Sequence, residues 1–291
     1  MDKPTVISLS TIPSRFGLIE RPLRSLLAQD PPAREVRLYI PRSYRRFPGW
    51  DGSLPKVPDG VSIHRCEVDY GPATKILPAA RDLKGQAVDI LFCDDDQAYD
   101  SGWHRRFKKA ARRKPDACIV EIGYSFPDIA DEDRPADRLP RGLPRRRDFR
   151  YRLQRLLSLY RRKPYLTTAG YVDMLAGFAG VLVRPEWFDE AFYDIPEVMW
   201  TVDDPWLSGH LERRGVPIWM SGAGYRLRGT GVGQVDALEN LVEGAHDRMR
   251  ADLLVIDYFR ERYGVWPRSA TAPRRTPAQT PTLAELARRQ G

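Results

Sequence analysis

Asp89-Ile90-Leu91-Phe92-Cys93-Asp94-Asp95-Asp96 is a short apolar run that stops abruptly in three carboxylates. A run this short and this apolar reads as a buried strand, which puts the acids at its C-terminal end. In an open parallel sheet, that edge is where ligands bind. Three adjacent anions repel one another, so the corner is costly unless water or a cation screens it. A hard divalent cation, held by carboxylate with most of its shell left for phosphate oxygens, meets that need. A solvated acidic turn is the plainer reading of the same tripeptide.

Working outward, the pattern predicts strands at Val6–Ile12, Val36–Ile40, Val61–Cys66 and Ala117–Ile122. Between them it predicts helices at Ile19–Ala28 and Lys75–Leu83, and a basic helix capped by Ser101 and running to Lys114. Strands alternating with helices argue for an α/β domain with a mostly parallel central sheet and helices on both faces. Farther on, Gly170–Val183 reads as strand, glycine turn and strand, Pro205–Arg214 as a helix, Val216–Met220 as a strand and Ala237–Tyr263 as a long helix. One domain over 1–266 is expected, with residues 267–291 a flexible tail rich in Pro, Thr and Arg.

The chain has 291 residues, and its 7 Trp, 13 Tyr and 10 Phe exclude disorder throughout. The apolar stretch Met174–Val183 is far short of the ~20 residues a spanning helix needs. Met1-Asp2-Lys3-Pro4 does not open like a signal peptide, and three dispersed cysteines suggest neither a disulfide framework nor a thiolate zinc site, so a cytoplasmic protein is expected. The net charge of +8 is concentrated in residues 134–163, where 12 Arg and Lys face 2 Asp. Within that insertion Phe149, Leu153, Leu156, Leu157 and Tyr160 form one helical stripe. The stripe suits either packing on the domain or a seat in an anionic membrane surface, which would make the protein peripheral on the inner face of the membrane. No nucleic-acid motif accompanies the cluster, and no nucleic-acid partner is expected.

Four further clusters could carry chemistry. Trp200-Thr201-Val202-Asp203-Asp204-Pro205-Trp206 places an acidic pair at a helix start. Asp204 there is either an N-cap before Pro205 or a general base between sugar-stacking tryptophans. Gly71-Pro72-Ala73-Thr74-Lys75 opens a predicted helix, whose N–H groups and lysine favour phosphate. Thr11 and Arg15, in the stretch that ends the first strand, suit a nucleotide's base and ribose or are ordinary loop residues. His246 is a lone helical histidine.

In order, VISLSTIPSRF, DYGPATKILPA, ILFCDDDQAY, VDMLAGFAGVLVRP and TVDDPWLSGHLERRGVPIW resemble a GT-A-type glycosyltransferase of the family-two-like bacterial group. The resemblance covers most of residues 5–250 and leaves out 134–163 and the tail. It implies a single Rossmann-like domain and a nucleotide-sugar donor; the basic helix alone suggests a glycan or lipid-linked acceptor. Asp94 and Asp96 match the outer positions of a DxD motif, with Asp94 towards the ribose and Asp96 on a Mn2+ or Mg2+ ion. Thr11, Arg15, Lys75, Asp94 and Asp95 are then the donor-binding candidates, and Asp96, Asp94 and His246 the metal ligands. Asp203-Asp204 stands where such enzymes carry an acidic pair, usually Glu-Asp, whose second member is the base. With Asp in the first place, the base is Asp204 or Asp203, and attack by the activated hydroxyl inverts the anomeric centre. A sugar-nucleotide nucleotidyltransferase fits less well, because no glycine precedes Gly17 in the first loop. A glycoside hydrolase would leave the DxD-like strand end and the Lys75 turn unexplained. A non-catalytic membrane- or nucleic-acid-binding module accounts for the basic segment alone.

Overall fold

β1 (Thr5–Ser10) lies near the middle of an eight-stranded sheet, with five of its six residues buried. In a computed structural model of the chain, residues 3–143, 165–166, 168–222, 224–225, 228–236 and 248–270 are described. The other strands are β2 (Glu35–Pro41), β3 (Val61–Cys66), β4 (Asp89–Phe92), β5 (Cys118–Val120), β6 (Ala169–Val172), β7 (Val181–Val183) and β8 (Ile218–Ser221). Their order across the sheet is β3-β2-β1-β4-β7-β5-β8-β6. β3, β2, β1 and β4 are mutually parallel, as are β5 and β8. β7 runs against both its neighbours, and β6 runs against β8. The chain steps outward from β1 to β3, then returns to place β4 on the other side of β1. That reversal opens a crevice beyond the C-terminal ends of β1 and β4.

Both faces of the sheet are covered, which is why its strands are apolar without alternating. Val6, Ile90, Phe92, Val120 and Val181 point to one face, where α2 (Leu77–Asp82) and α4 (Asp203–Arg213) supply Leu77, Ala80, Leu207 and Leu211. Ile7, Leu9, Leu91, Ile119 and Leu182 point to the other, against Leu23 and Leu26 of α1 (Glu20–Leu27) and Trp103 and Phe107 of α3 (Trp103–Arg113). A third core joins α4 to α5 (Arg248–Tyr263) through Trp206, Val255 and Phe259. The expected mixed α/β architecture with a mostly parallel sheet is therefore the one observed.

Several local expectations are corrected. Ser101 does not cap α3: the flanking residue is Gly102, whose N–H is taken by the Asp100 carboxylate at 3.1 Å. Lys75–Leu83 is not one helix, because a 3-10 turn over Gly71–Lys75 precedes α2 and Pro78, which lacks an N–H, begins afresh. Asp204 is not an N-cap: α4 starts at Asp203, two residues before the expected Pro205, with Val202 flanking it. Trp206 is not a sugar-stacking wall, since it is 1% exposed in the third core with its indole N–H on Phe192 O. The stripe 149–160, the helix expected over 237–247, His246 and the tail beyond 270 lie outside the described residues. The opening of the basic segment is inside them and is tied to the domain. Arg134 and Arg141 both pair with the buried carboxylate of Asp173, and Arg138 pairs with Glu212 at 3.4 Å. Among the described residues no helix is long and apolar enough to cross a membrane.

Candidate functional site

The crevice beyond β1 and β4 is a cavity of about 310 Å³ that Thr11, Arg15, Lys75, Asp94, Asp95, Asp96, Asp203 and Asp204 all line. Residues some 190 positions apart thus meet because β1, the turn after β3, β4 and the start of α4 all end at one edge. Of the candidate residues read from the sequence, only His246 lies outside the described residues.

The three aspartates after β4 have different surroundings. Asp95 turns inward and is 3% exposed, taking a hydrogen bond from the Thr11 hydroxyl and an ion pair from Arg15 at 2.8 Å. The Arg15 guanidinium also donates from Nε to Val235 O at 2.9 Å. The polar ends of Thr11 and Arg15 therefore brace the acidic corner from β1. Asp94 is half-buried and meets the Lys75 ammonium at 2.6 Å. Asp96 accepts from the Gln97 amide at 3.0 Å, while its main-chain carbonyl accepts from Thr230 N and Oγ1. Gly229 and Arg228 pair with Gln97 and Ala98, so the strand end carries residues 228–236 across the corner. A Cβ at Gly233 would fall 2.5 Å from Asp96 Oδ2, so a side chain there would have to displace that carboxylate.

Lys75 lines the cavity, and carboxylates engage its ammonium. It is 4% exposed, and its ammonium is also 2.8 Å from the equally buried Asp203. Burial works against that charge, but Asp203, Asp94 and Asp204 outweigh it and hold the group protonated well above the ordinary lysine value. Asp204 is half-buried, and its Oδ1 accepts from Gly177 N at 3.0 Å. The 3-10 turn over Gly177–Ala179 that provides this N–H is itself held by Tyr99 to Phe178 O and by Trp103 to Ala179 O.

Sequence reasoning missed four contributors. Gly177 was read only as part of a turn, yet a Cβ there would lie 2.6 Å from Lys75 Nζ. Asp69, at the end of β3, accepts from the N–H groups of Arg45 and Gly71, and burial still raises its carboxyl above the usual range. Tyr44 donates to Thr11 O at 2.8 Å, and Arg46 lines the cavity. The one signal available for the site's backbone was Gly71: its φ of 57° is a left-handed conformation that favours glycine, and a Cβ would sit 2.8 Å from Trp200. Trp200 lines the cavity and donates to Asp69 O.

The wall as a whole is short of positive charge, with six aspartates against Arg15, Arg46 and Lys75. Asp96 registers the imbalance. Burial, with Asp94 and Asp95 beside it, pushes its carboxyl up to about 6. An all-oxygen, over-negative corner fits a hard divalent cation. Among the described residues no three His, Cys, Asp or Glu side chains converge as a complete metal cage. The chain would thus supply one or two carboxylates and leave the rest of the shell to ligand oxygens, as Mg2+ sites commonly do.

No family model matches the chain, and no curated protein matches it. Among solved structures it is similar to the crystal structure of S. aureus TarS 1-349, at 14% identity over 77% of this chain, with a TM-score of 0.42. The match spans 59% of that structure's length.

Proposed function

We propose that this chain is a glycosyltransferase that moves a sugar from a nucleoside-diphosphate donor to a hydroxyl of a glycan or lipid-linked acceptor, with inversion. One observation carries the reading. The Asp94–Asp96 corner and the Asp203–Asp204 pair, the two acidic motifs of the GT-A resemblance, share one cavity at the switch point of the sheet.

Asp96, with Asp94 beside it, would hold Mg2+ or Mn2+, which when bound offsets the charge that develops on a departing diphosphate. Asp95 keeps the corner in place through Thr11 and Arg15, and Asp94 faces the donor's ribose. Trp200 and Phe178 give the cavity apolar wall against which a sugar can rest. In the reaction the acceptor oxygen bonds to the anomeric carbon. The bond from that carbon to the phosphate oxygen breaks, and its electron pair leaves with the nucleoside diphosphate. The acceptor's proton passes to the Asp204 carboxylate. A membrane role for the basic insertion, if it operates, belongs to residues 144–163, because Arg134, Arg138 and Arg141 are already paired.

The test is a panel of UDP-, GDP- and dTDP-sugars with Mn2+, scoring release of free nucleoside diphosphate. Turnover of at least one donor is expected, and Asp96→Ala should abolish divalent-dependent nucleotide binding. Asp204→Asn should bind donor normally and lose about 10²–10⁴ in kcat, the usual worth of a general base. Turnover of none of the donors, or normal turnover by Asp204→Asn, would defeat the reading.

A further inference from the structure

We propose that Lys75 is a positioning residue that divides the acidic pair, fixing Asp203 as structural and leaving Asp204 to take the acceptor's proton. The inference rests on the transferase reading and adds to it a residue that touches no substrate.

The geometry is that of a tie between two halves of the site. Lys75 is held at its backbone by the Ser8 hydroxyl of β1, which donates to Lys75 O at 2.6 Å. At its other end the ammonium reaches Asp94 from the β4 side at 2.6 Å and Asp203 from α4 at 2.8 Å. One buried point charge thus spans the donor-side corner and the first turn of the helix that carries the base. Asp203 is 4% exposed, and an ionised carboxylate so buried needs a partner. Lys75 is that partner, so Asp203 cannot turn to an acceptor without giving up this ion pair. Asp204, the next residue, adds its charge around the ammonium but is oriented by the Gly177 N–H and lines the cavity. Gly177 also sets the fit, since a methyl group there would fall 2.6 Å from Lys75 Nζ and 2.9 Å from Asp204 Oδ1. No proton moves on or off Lys75 in the transfer step; the ammonium stays charged and holds Asp203, and through it the start of α4, at a fixed distance from the β4 corner.

The experiment is a double-mutant cycle on the full chain with Lys75→Met, Asp203→Asn and both together, read by thermal melting and by steady-state kinetics on a donor found in the panel. Melting tests the ion pair without any turnover: the double variant should melt above Lys75→Met, and strict additivity would overturn the pair. In kinetics Lys75→Met should lose about a hundredfold in kcat, the cost of a misplaced reacting group. Asp203→Asn should lose less than Asp204→Asn, and the double variant should recover part of the Lys75→Met loss. Wild-type kcat in Lys75→Met, or Asp203→Asn as inactive as Asp204→Asn, overturns the positioning role while leaving the transferase reading intact. If the wild type turns over no donor, that reading falls and the positioning role with it, whatever the melts show. Should Lys75→Met fail to fold, Lys75→Arg keeps the charge but alters its reach to Asp203; a loss in kcat is expected, and wild-type kcat overturns the positioning role.

Discussion

At the residue scale the site trades stability for charge, and Asp96 shows the sign of that trade. Burial and the neighbouring carboxylates raise its carboxyl from 3.8 to about 6, so the folded chain takes up a proton that the unfolded chain releases in that window. The stability Asp96 lends is therefore complete below pH 4 and is lost as the pH rises through about 6. Asparagine carries no such charge. In metal-free buffer Asp96→Asn should melt like the wild type near pH 4 and above it at pH 7, with a difference on the order of 2 kcal/mol. Equal melting at both pH values would mean that the corner is not over-negative. The sequence made the acids themselves legible, because an apolar strand ending in carboxylate needs no neighbours to be recognised. It did not reveal their division of labour. Asp95 is turned inward by Thr11 and Arg15, which stand 80 and more positions away in the chain.

At the scale of elements, close approach of backbones decides what patterning cannot. α4 packs on α5 at Gly209, where a Cβ would fall 2.3 Å from the fully buried ring of Phe259. Alanine would raise helix propensity by about 1 kcal/mol. Overpacking against a rigid ring costs roughly 1–3 kcal/mol and should win. Gly209→Ala is thus expected to lower the urea midpoint, and Phe259→Leu in the same chain should restore part of the loss. A neutral or stabilising Gly209→Ala would show that the two helices can separate freely. Strand and helix positions were largely legible from hydrophobic runs, yet the boundaries at Gly71–Lys75, Gly102 and Asp203 were not. The first is set by Pro72 and Pro78 and the second by the Asp100 carboxylate before α3, rather than by periodicity.

Across the whole molecule, the excursion between β5 and β6 is fastened by one buried carboxylate. Asp173 is 6% exposed and accepts from Phe126 N at 2.7 Å, from Arg141 at 2.7 Å and from Arg134. Both guanidiniums are themselves buried, at 5% and 8% exposure. Asp173→Asn strips Arg134 and Arg141 of their shared buried counter-charge, leaving Arg134 only the exposed Asp131 at 3.5 Å, and breaking a buried pair in this way costs about 3–5 kcal/mol. The exposed Arg24–Glu20 pair on α1 is the control, since Arg24→Ala should change stability by less than about 1 kcal/mol. Denaturant unfolding followed by tryptophan fluorescence would measure both, and similar small effects would show that the excursion is not anchored through Asp173. The same fact redraws the basic segment: a charge count over 134–163 could not separate paired arginines from the rest, because pairing is a property of the fold.

The sequence by itself determined the α/β class, the strands of the central sheet and the two acidic motifs, because each is a local pattern of apolar runs and the charges that end them. Only the tertiary structure decided that Lys75 pairs with Asp94 and Asp203, that Trp206 is core while Trp200 lines the cavity, and that Gly177 orients Asp204. Those outcomes depend on which distant residue arrives within 3 Å at the sheet's edge, and distance in space is what a single sequence does not encode residue by residue.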